Sequence, residues 1–144
     1  MMEKKDRSKL VAPCGLDCGV CELNMCKDNI TLLNQLIKIG IPKENLPCQG
    51  CRAIQGNCPV LEEKCDTYKC ISEKKIDFCY ECNVFPCVSI QPAADRADTL
   101  PHNMKIYNLC IIKNLGLDSF INNSPEIKKR YFAGKMIIGK GPQI

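Results

Sequence analysis

The stretch that decides the fold of this chain is C-G-L-D-C-G-V-C at residues 14–21, which is followed by two related runs. These runs are C-Q-G-C at 48–51 and C-Y-E-C-N-V-F-P-C at 79–87. A C-x-x-C turn places two sulfur atoms on one side of a tight loop, and so supplies two corners of a tetrahedral thiolate site. The three runs therefore predict that the chain binds a metal through sulfur.

The cellular compartment also bears on how the thirteen cysteines are used. The start of the chain, M-M-E-K-K-D-R-S-K-L, is charged and lacks the apolar core of a signal peptide. No apolar run approaches the length of about 20 residues that a membrane span needs. These features predict a cytoplasmic protein without a membrane partner, in which thiols stay reduced and disulfides are disfavoured.

The composition indicates a small core that needs further support. The 144 residues include no Trp, four Phe and four Tyr, so large aromatic side chains are few. Structural metal binding supplies folding free energy of roughly 10–16 kcal/mol in small zinc modules. We therefore expect a mostly α, small, irregular, metal-stapled domain with zinc-knuckle loops and a C-terminal helical segment. Residues 1–144 would form a single domain, with a cysteine-rich metal-binding part at 14–87 and a helical tail at 88–144 packed on it.

Four helices are predicted within or beside the cysteine-rich part. Asn29 can cap a helix over 29–39, which Gly40 would end. Pro59 could start a short helix through Leu61 to Lys64, and a second short helix is expected from Tyr68 to Lys74. A further short helix is expected near 87–94.

The tail carries its own helix signals. The sequence Thr99-Leu100-Pro101 resembles a helix entry, and Gly116 would end that helix. Ser124-Pro125-Glu126 predicts a second start, leading into Ile127–Ala133. The apolar stripe of the first helix consists of Met104, Tyr107, Ile111 and Leu115. We expect this stripe to pack on the helix at 29–39, whose own stripe is Leu32, Leu33, Leu36 and Ile37.

Zinc is the first candidate metal, because it takes four ligands tetrahedrally and closed four-cysteine sites are structural. The pairs Cys48–Cys51 and Cys79–Cys82 are expected to converge on one ion. The run at 14–21 would form a separate site, completed by Cys26 or Cys87. Cys65 and Cys70 could form a third site with Cys58, or replace one of those pairs. Two zinc ions are expected.

Two other kinds of chemistry remain open from the residues. An iron–sulfur cluster also takes four cysteines, and the spacing of Cys14, Cys18 and Cys21 occurs in clusters with an open iron. That reading would make the chain an electron carrier or redox sensor. A thiol-redox enzyme would need a C-x-x-C motif beside a βαβ unit, and no such pattern flanks Cys48 or Cys79.

Other catalytic and nucleic-acid features are weak. His102 and Cys110 would lie about 12 Å apart along a straight helix, so we expect no catalytic pair and name no catalytic residue. The net charge of +4 counts every cysteine as a neutral thiol. Two four-thiolate zinc sites would reduce that charge to about zero. The sequence thus favours a non-enzymatic protein that does not bind nucleic acid, and leaves a protein partner open.

The motifs in order resemble a cysteine-rich domain-of-unknown-function family, number 3795. The resemblance begins at A-P-C-G-L-D-C-G-V-C and ends at F-C-Y-E-C-N-V-F-P-C, over roughly residues 12–90. It implies a small cytosolic protein that binds zinc or a cluster, and brings no established reaction. We therefore expect a metal-organised interaction module. The metal ligands that the resemblance implies are Cys14, Cys18, Cys21, Cys48, Cys51, Cys65, Cys70, Cys79, Cys82 and Cys87. Cys26, Cys58 and Cys110 fit the family pattern less well.

Overall fold

A computed structural model describes residues 7–144, so the charged start of the chain up to Asp6 lies outside the described residues. Within that range helices predominate, joined by irregular loops, 3-10 turns and a short hairpin. The helices are α1 Glu22–Met25, α2 Ile30–Lys38, α3 Asp66–Lys74, α4 Lys105–Leu115 and α5 Leu117–Ala133. The hairpin pairs β1 Lys135–Ile137 with β2 Gly141–Gln143 in antiparallel register. A mainly helical, irregular fold was expected, whereas the hairpin was not.

Helix α2 confirms the helix predicted at 29–39. The side chain of Asn29 accepts a hydrogen bond from the backbone N–H of Leu32 at 3.0 Å, which satisfies one free donor of the first turn. Gly40 follows the helix with φ of +111°, a conformation that favours glycine. Leu36 is the buried residue of the stripe.

The other expectations for the middle of the chain are only partly met. The helix expected at Tyr68–Lys74 is present as α3 and begins two residues earlier, at Asp66. No helix forms at 61–64, where the backbone bends between Cys58 and Cys65. At 87–94 only the short turn Val88–Ile90 is helical. Both wrong assignments lie beside prolines, which favour turns as readily as helix starts.

The second tail helix starts earlier than the sequence indicated. Helix α5 runs without interruption from Leu117, and Pro125 lies inside it. The tail helices meet at Gly116, so α5 begins directly where α4 ends. Phe120 is fully buried and Ser124 is buried on the same helix. A proline by local preference begins or breaks a helix. Because the buried face of α5 packs against the core, the helix continues through Pro125.

A shared core connects the tail with the cysteine-rich part. Its buried residues are Val11, Ile71, Phe78, Cys79, Ile90, Leu109, Ile112 and Phe120. Helix α2 instead belongs to a second cluster of Leu23, Cys26, Leu36 and Cys48. The expectation that the tail packs on α2 is therefore wrong. The buried face of α4 also differs from the predicted apolar stripe. Tyr107 and Leu115 of that stripe are 57% and 66% exposed, whereas Leu109, outside it, is fully buried.

None of the helices in the described range is both long and apolar enough to cross a membrane.

Candidate metal centre

The first cysteine run is held against the tail by Gly15. This residue has φ of +93°, and a Cβ atom there would lie 2.9 Å from both Leu109 Cγ and the Lys105 carbonyl oxygen. Asn108 Nδ2 donates a buried hydrogen bond of 2.9 Å to the Gly15 carbonyl. Only glycine tolerates this close approach without displacement of α4. The turn therefore fixes Cys14 beneath the tail helix.

A buried carboxylate fixes the next turn, at Cys18–Val20. Asp17 accepts two hydrogen bonds from the Arg7 guanidinium, at 2.8 and 2.5 Å, and its side chain is 1% exposed. It also accepts a hydrogen bond of 2.9 Å from the Gly19 N–H. A bidentate arginine pair compensates the cost of burying this charge. The sulfur of Cys18 is thereby presented from a rigid turn.

The C-Q-G-C run is brought to Cys18 by hydrogen bonds to the segment after Cys21. The Cys48 N–H donates to the Leu23 carbonyl at 2.8 Å, and Asn24 Nδ2 donates to the Cys48 carbonyl at 2.7 Å. The sulfur atoms of Cys18 and Cys51 lie 3.6 Å apart. A tetrahedral zinc site with bonds of 2.3 Å separates its sulfurs by about 3.8 Å. This sulfur pair thus fits one edge of such a site.

Cys18 is the centre of the first sulfur group. It is close enough to influence the ionisation of four other thiols as well as that of Cys14. We call this set group A. Its members are Cys18, Cys21, Cys48, Cys51 and Cys58.

The thiols of group A divide into one ready donor and several protonated partners. A hydrogen bond from Cys51 lowers the pKa of Cys18 to about 7, and the same bond raises the pKa of Cys51. Burial raises the pKa of Cys21 to about 12. Burial also raises the pKa of Cys48 and of Cys58. In the metal-free protein Cys18 is therefore the first thiolate of this group, and a cation would displace protons from the others.

A second sulfur group, group B, lies where α3 meets the third cysteine run. Its members are Cys70, Cys79, Cys82 and Cys87, and all four line one cavity of about 40 Å³. Ile71, Phe85 and Ile90 supply apolar walls. Burial, together with the nearby sulfurs of Cys14, Cys87 and Cys70, raises the pKa of Cys79 to about 12. Four cysteine residues from α3 and the third run thus line one small cavity.

Lys74 adds a positive charge to group B. Its ammonium group lies 2.9 Å from the Cys82 sulfur, and this hydrogen bond lowers the pKa of Cys82 and raises that of Lys74. Lys74 lies one turn beyond Cys70 on α3. Sequence reasoning found the helix and Cys70 but missed this lysine. The i, i+4 spacing of Cys70 and Lys74 on a predicted helix could have indicated that the lysine lies beside the cysteines.

The two groups are joined through the backbone and through Arg52. The Cys79 N–H donates to the Pro13 carbonyl at 3.0 Å. Arg52 donates to the carbonyls of Val11 and Asp77, both at 2.8 Å, and its guanidinium lies over the Phe78 ring at 4.8 Å. Arg52 directly follows the C-Q-G-C run, so it connects group A to the loop that precedes Cys79.

Two implied ligands, Cys14 and Cys65, lie near group A, and Cys14 also lies near Cys79 of group B. Burial raises the pKa of Cys14, whose sulfur is near Cys18 and Cys65 and also influences Cys51 and Cys79. Cys65 in turn influences Cys58. Neither residue lines the group B cavity.

The pairs Cys48–Cys51 and Cys79–Cys82 were expected to converge, and the structure does not bring them together. Cys48 and Cys51 gather with Cys18 and Cys21, whereas Cys79 and Cys82 gather with Cys70 and Cys87. The sequence separation of the pairs could not reveal this, because hydrogen bonds to Leu23 and Asn24 decide where C-Q-G-C lies. The alternative in which Cys65 and Cys70 replace a pair is met for Cys70 alone, since Cys70 lies in group B and Cys65 does not line that cavity.

Of the remaining candidates, Cys26 packs beside Cys48 of group A, whereas Cys110 and His102 belong to neither group. Cys26 is buried and its thiol donates to the Leu23 carbonyl at 3.3 Å. Cys110 is partly buried on α4. His102 Nε2 bonds the Ala93 carbonyl at 2.8 Å, and Nδ1 is buried without a hydrogen-bond partner, so neither ring nitrogen bonds Cys110.

The two groups contain suitable sulfur donors, but their side chains are not oriented to bind a metal. Within residues 7–144, no three cysteine, histidine, aspartate or glutamate side chains are positioned to hold a metal ion as they stand. The donor sets nevertheless suit a thiophilic ion, since each group has at least four sulfurs. Group A also borders an open cleft of about 460 Å³ at Cys48 and Cys58. Closure around an ion would require the thiol side chains to rotate towards one another.

Comparison with known proteins is consistent with the motif order. No curated protein and no solved structure matches the chain. The profile of a family described as "protein of unknown function (DUF3795)" matches residues 10–92, which is more than half of the chain and spans both sulfur groups. The chain therefore belongs to the DUF3795 family of cysteine-rich proteins.

Proposed function

We propose that this protein binds two zinc ions, one in each sulfur group, and that the metal stabilises an interaction module. The observation that carries the proposal is the placement of nine cysteines in two groups, each with at least one C-x-x-C pair and four or more cysteines. A closed four-sulfur zinc site has no open position for substrate. The metal would therefore have a structural role, with no catalytic one.

The size of group B favours a single ion over a cluster. The volume of its cavity, about 40 Å³, is only a few times the volume of one water-sized sphere, about 10–15 Å³. A four-iron cluster adds four sulfides to its four metals and requires more room. Zinc also suits a set of thiolates without histidine. An iron–sulfur carrier remains the alternative outcome of the test below.

The test is metal analysis of protein purified under anaerobic conditions without added metal. We expect about two zinc ions per chain and a colourless sample, because zinc has a filled d-shell. Cys79→Ser and Cys51→Ser should each reduce the content to about one ion. Cys110→Ser is the matched control and should leave it unchanged, because Cys110 lies outside both groups. Less than about half an ion per chain would reject the proposal, and brown protein with iron and sulfide would establish the alternative.

Zinc affinity should depend steeply on pH. Thiols with raised pKa, such as Cys21 and Cys79 at about 12, are protonated in the metal-free protein at neutral pH. Zinc must displace those protons, so affinity rises with pH and falls as pH drops. We expect a loss of at least about tenfold per pH unit between pH 8 and 6. Competition titrations against a zinc indicator, corrected for the indicator's own protonation, would measure it. A flat profile would show that thiols are not the ligands.

A further inference from the structure

We propose that group B is a metal-exchange site, which takes up and releases zinc on contact with competing ligands, whereas group A retains its ion. This inference rests on the proposed binding of one ion by each group. It assigns the two groups different roles: group A would hold the fold, and group B would pass a divalent thiophilic cation to or from a partner ligand.

The first argument is the exposure of the sulfur-bearing residues. In group B, Cys70 and Cys87 are exposed and Cys82 is partly exposed. In group A no cysteine is exposed, and Cys48 is buried in the core formed with Leu23 and Leu36. Exchange of a four-thiolate ion begins when an incoming ligand reaches the metal as one sulfur leaves. Sulfurs at the surface permit that approach.

The surroundings of group A restrict the same approach. Its open cleft reaches the group only at Cys48 and Cys58. Leu10, which is buried, packs at Gly50 beside Cys18: a Cβ atom at Gly50 would lie 3.0 Å from Leu10 Cδ2 and 3.7 Å from Cys18 Cβ. The Cys18–Val20 turn is held by the buried pair of Arg7 and Asp17. Release of a sulfur here would disturb rigid, packed structure.

The second argument is the hydrogen bond from Lys74 to Cys82. An ion with four thiolates carries a net negative charge of about two units, which the ammonium group partly offsets. The hydrogen bond is stronger to a detached thiolate, which bears a full charge, than to a sulfur that shares its charge with zinc. Lys74 therefore favours the detached state of Cys82 and should accelerate release.

The exchange step involves no oxidation. Cys82 would give up its place to a donor atom of the competing ligand, and its thiolate would stay paired with the Lys74 ammonium. The other three cysteines of group B would be displaced in turn and would take protons from solvent. Cys79, the buried member, would be the last to leave because it is least accessible.

The experiment measures zinc transfer from the loaded full chain to the coloured chelator 4-(2-pyridylazo)resorcinol by stopped flow. We expect two phases of equal amplitude. Cys87→Ser should remove the fast phase and leave the slow one. Lys74→Met should slow the fast phase by roughly two- to tenfold, as the loss of one hydrogen bond allows, and Lys74→Arg should restore most of the rate. Lys75→Met, the adjacent exposed lysine, is the matched control and should change neither phase.

Each outcome decides between the two proposals. A single phase for two bound ions, or a fast phase that disappears in Cys51→Ser and persists in Cys87→Ser, would overturn the exchange role and leave zinc binding intact. An unchanged fast phase in Lys74→Met would also overturn it. That variant keeps every cysteine, so it stays informative if Cys87→Ser fails to fold. Protein that binds no zinc would reject the proposed function itself.

Discussion

Complete removal of metal is expected to unfold both the cysteine-rich part and the tail helices α4 and α5. Isolated helices of 11 and 17 residues are marginal in water, so they depend on tertiary packing. Leu109 and Phe120 of the tail share their core with Cys79, a member of group B. If zinc contributes folding energy of order 10 kcal/mol or more, as in small zinc modules, its loss exceeds the stability of an ordinary domain.

Amide hydrogen exchange with and without a strong chelator would measure this coupling. The control is the same chelator saturated with zinc beforehand, which should leave the exchange pattern unchanged. Persistent protection of residues 105–115 after all metal is removed would show that the tail folds independently. It would also refute the assignment of residues 1–144 to one cooperative domain.

The second large effect is expected at the contact between α4 and the first cysteine run. Leu109→Ala should lower the free energy of unfolding by about 2–5 kcal/mol, because it empties a fully buried site against Gly15. Leu115→Ala is the matched control on the same helix. Since Leu115 is 66% exposed, its truncation should change that free energy by no more than about 0.5 kcal/mol.

Urea unfolding of the zinc-loaded protein would measure both variants under one condition. The comparison also tests which residue of α4 is buried: the structure buries Leu109, whereas the helical spacing indicated Leu115 and omitted Leu109. Equal effects of the two substitutions would mean that α4 does not pack on the Gly15 turn as described.

Local signals were sufficient where a helix is bounded by its own residues. Asn29 and Gly40 mark the ends of α2, and Gly116 marks the end of α4, because capping and left-handed conformations depend on adjacent residues alone. The start of α5 was misplaced at Pro125, where the local preference for a first turn is overridden by the buried face of the helix around Phe120.

The sequence by itself determined that the chain is cysteine-rich, that its C-x-x-C turns present paired sulfurs, and which family it belongs to. These properties reside in residue identity and short spacing. Only the tertiary structure decided which turns meet. Cys48 joins Cys18 because its backbone bonds Leu23 and Asn24, and Cys79 joins Cys70 because α3 lies beside it. Such contacts join residues far apart in the chain and depend on packing, which a linear pattern does not encode.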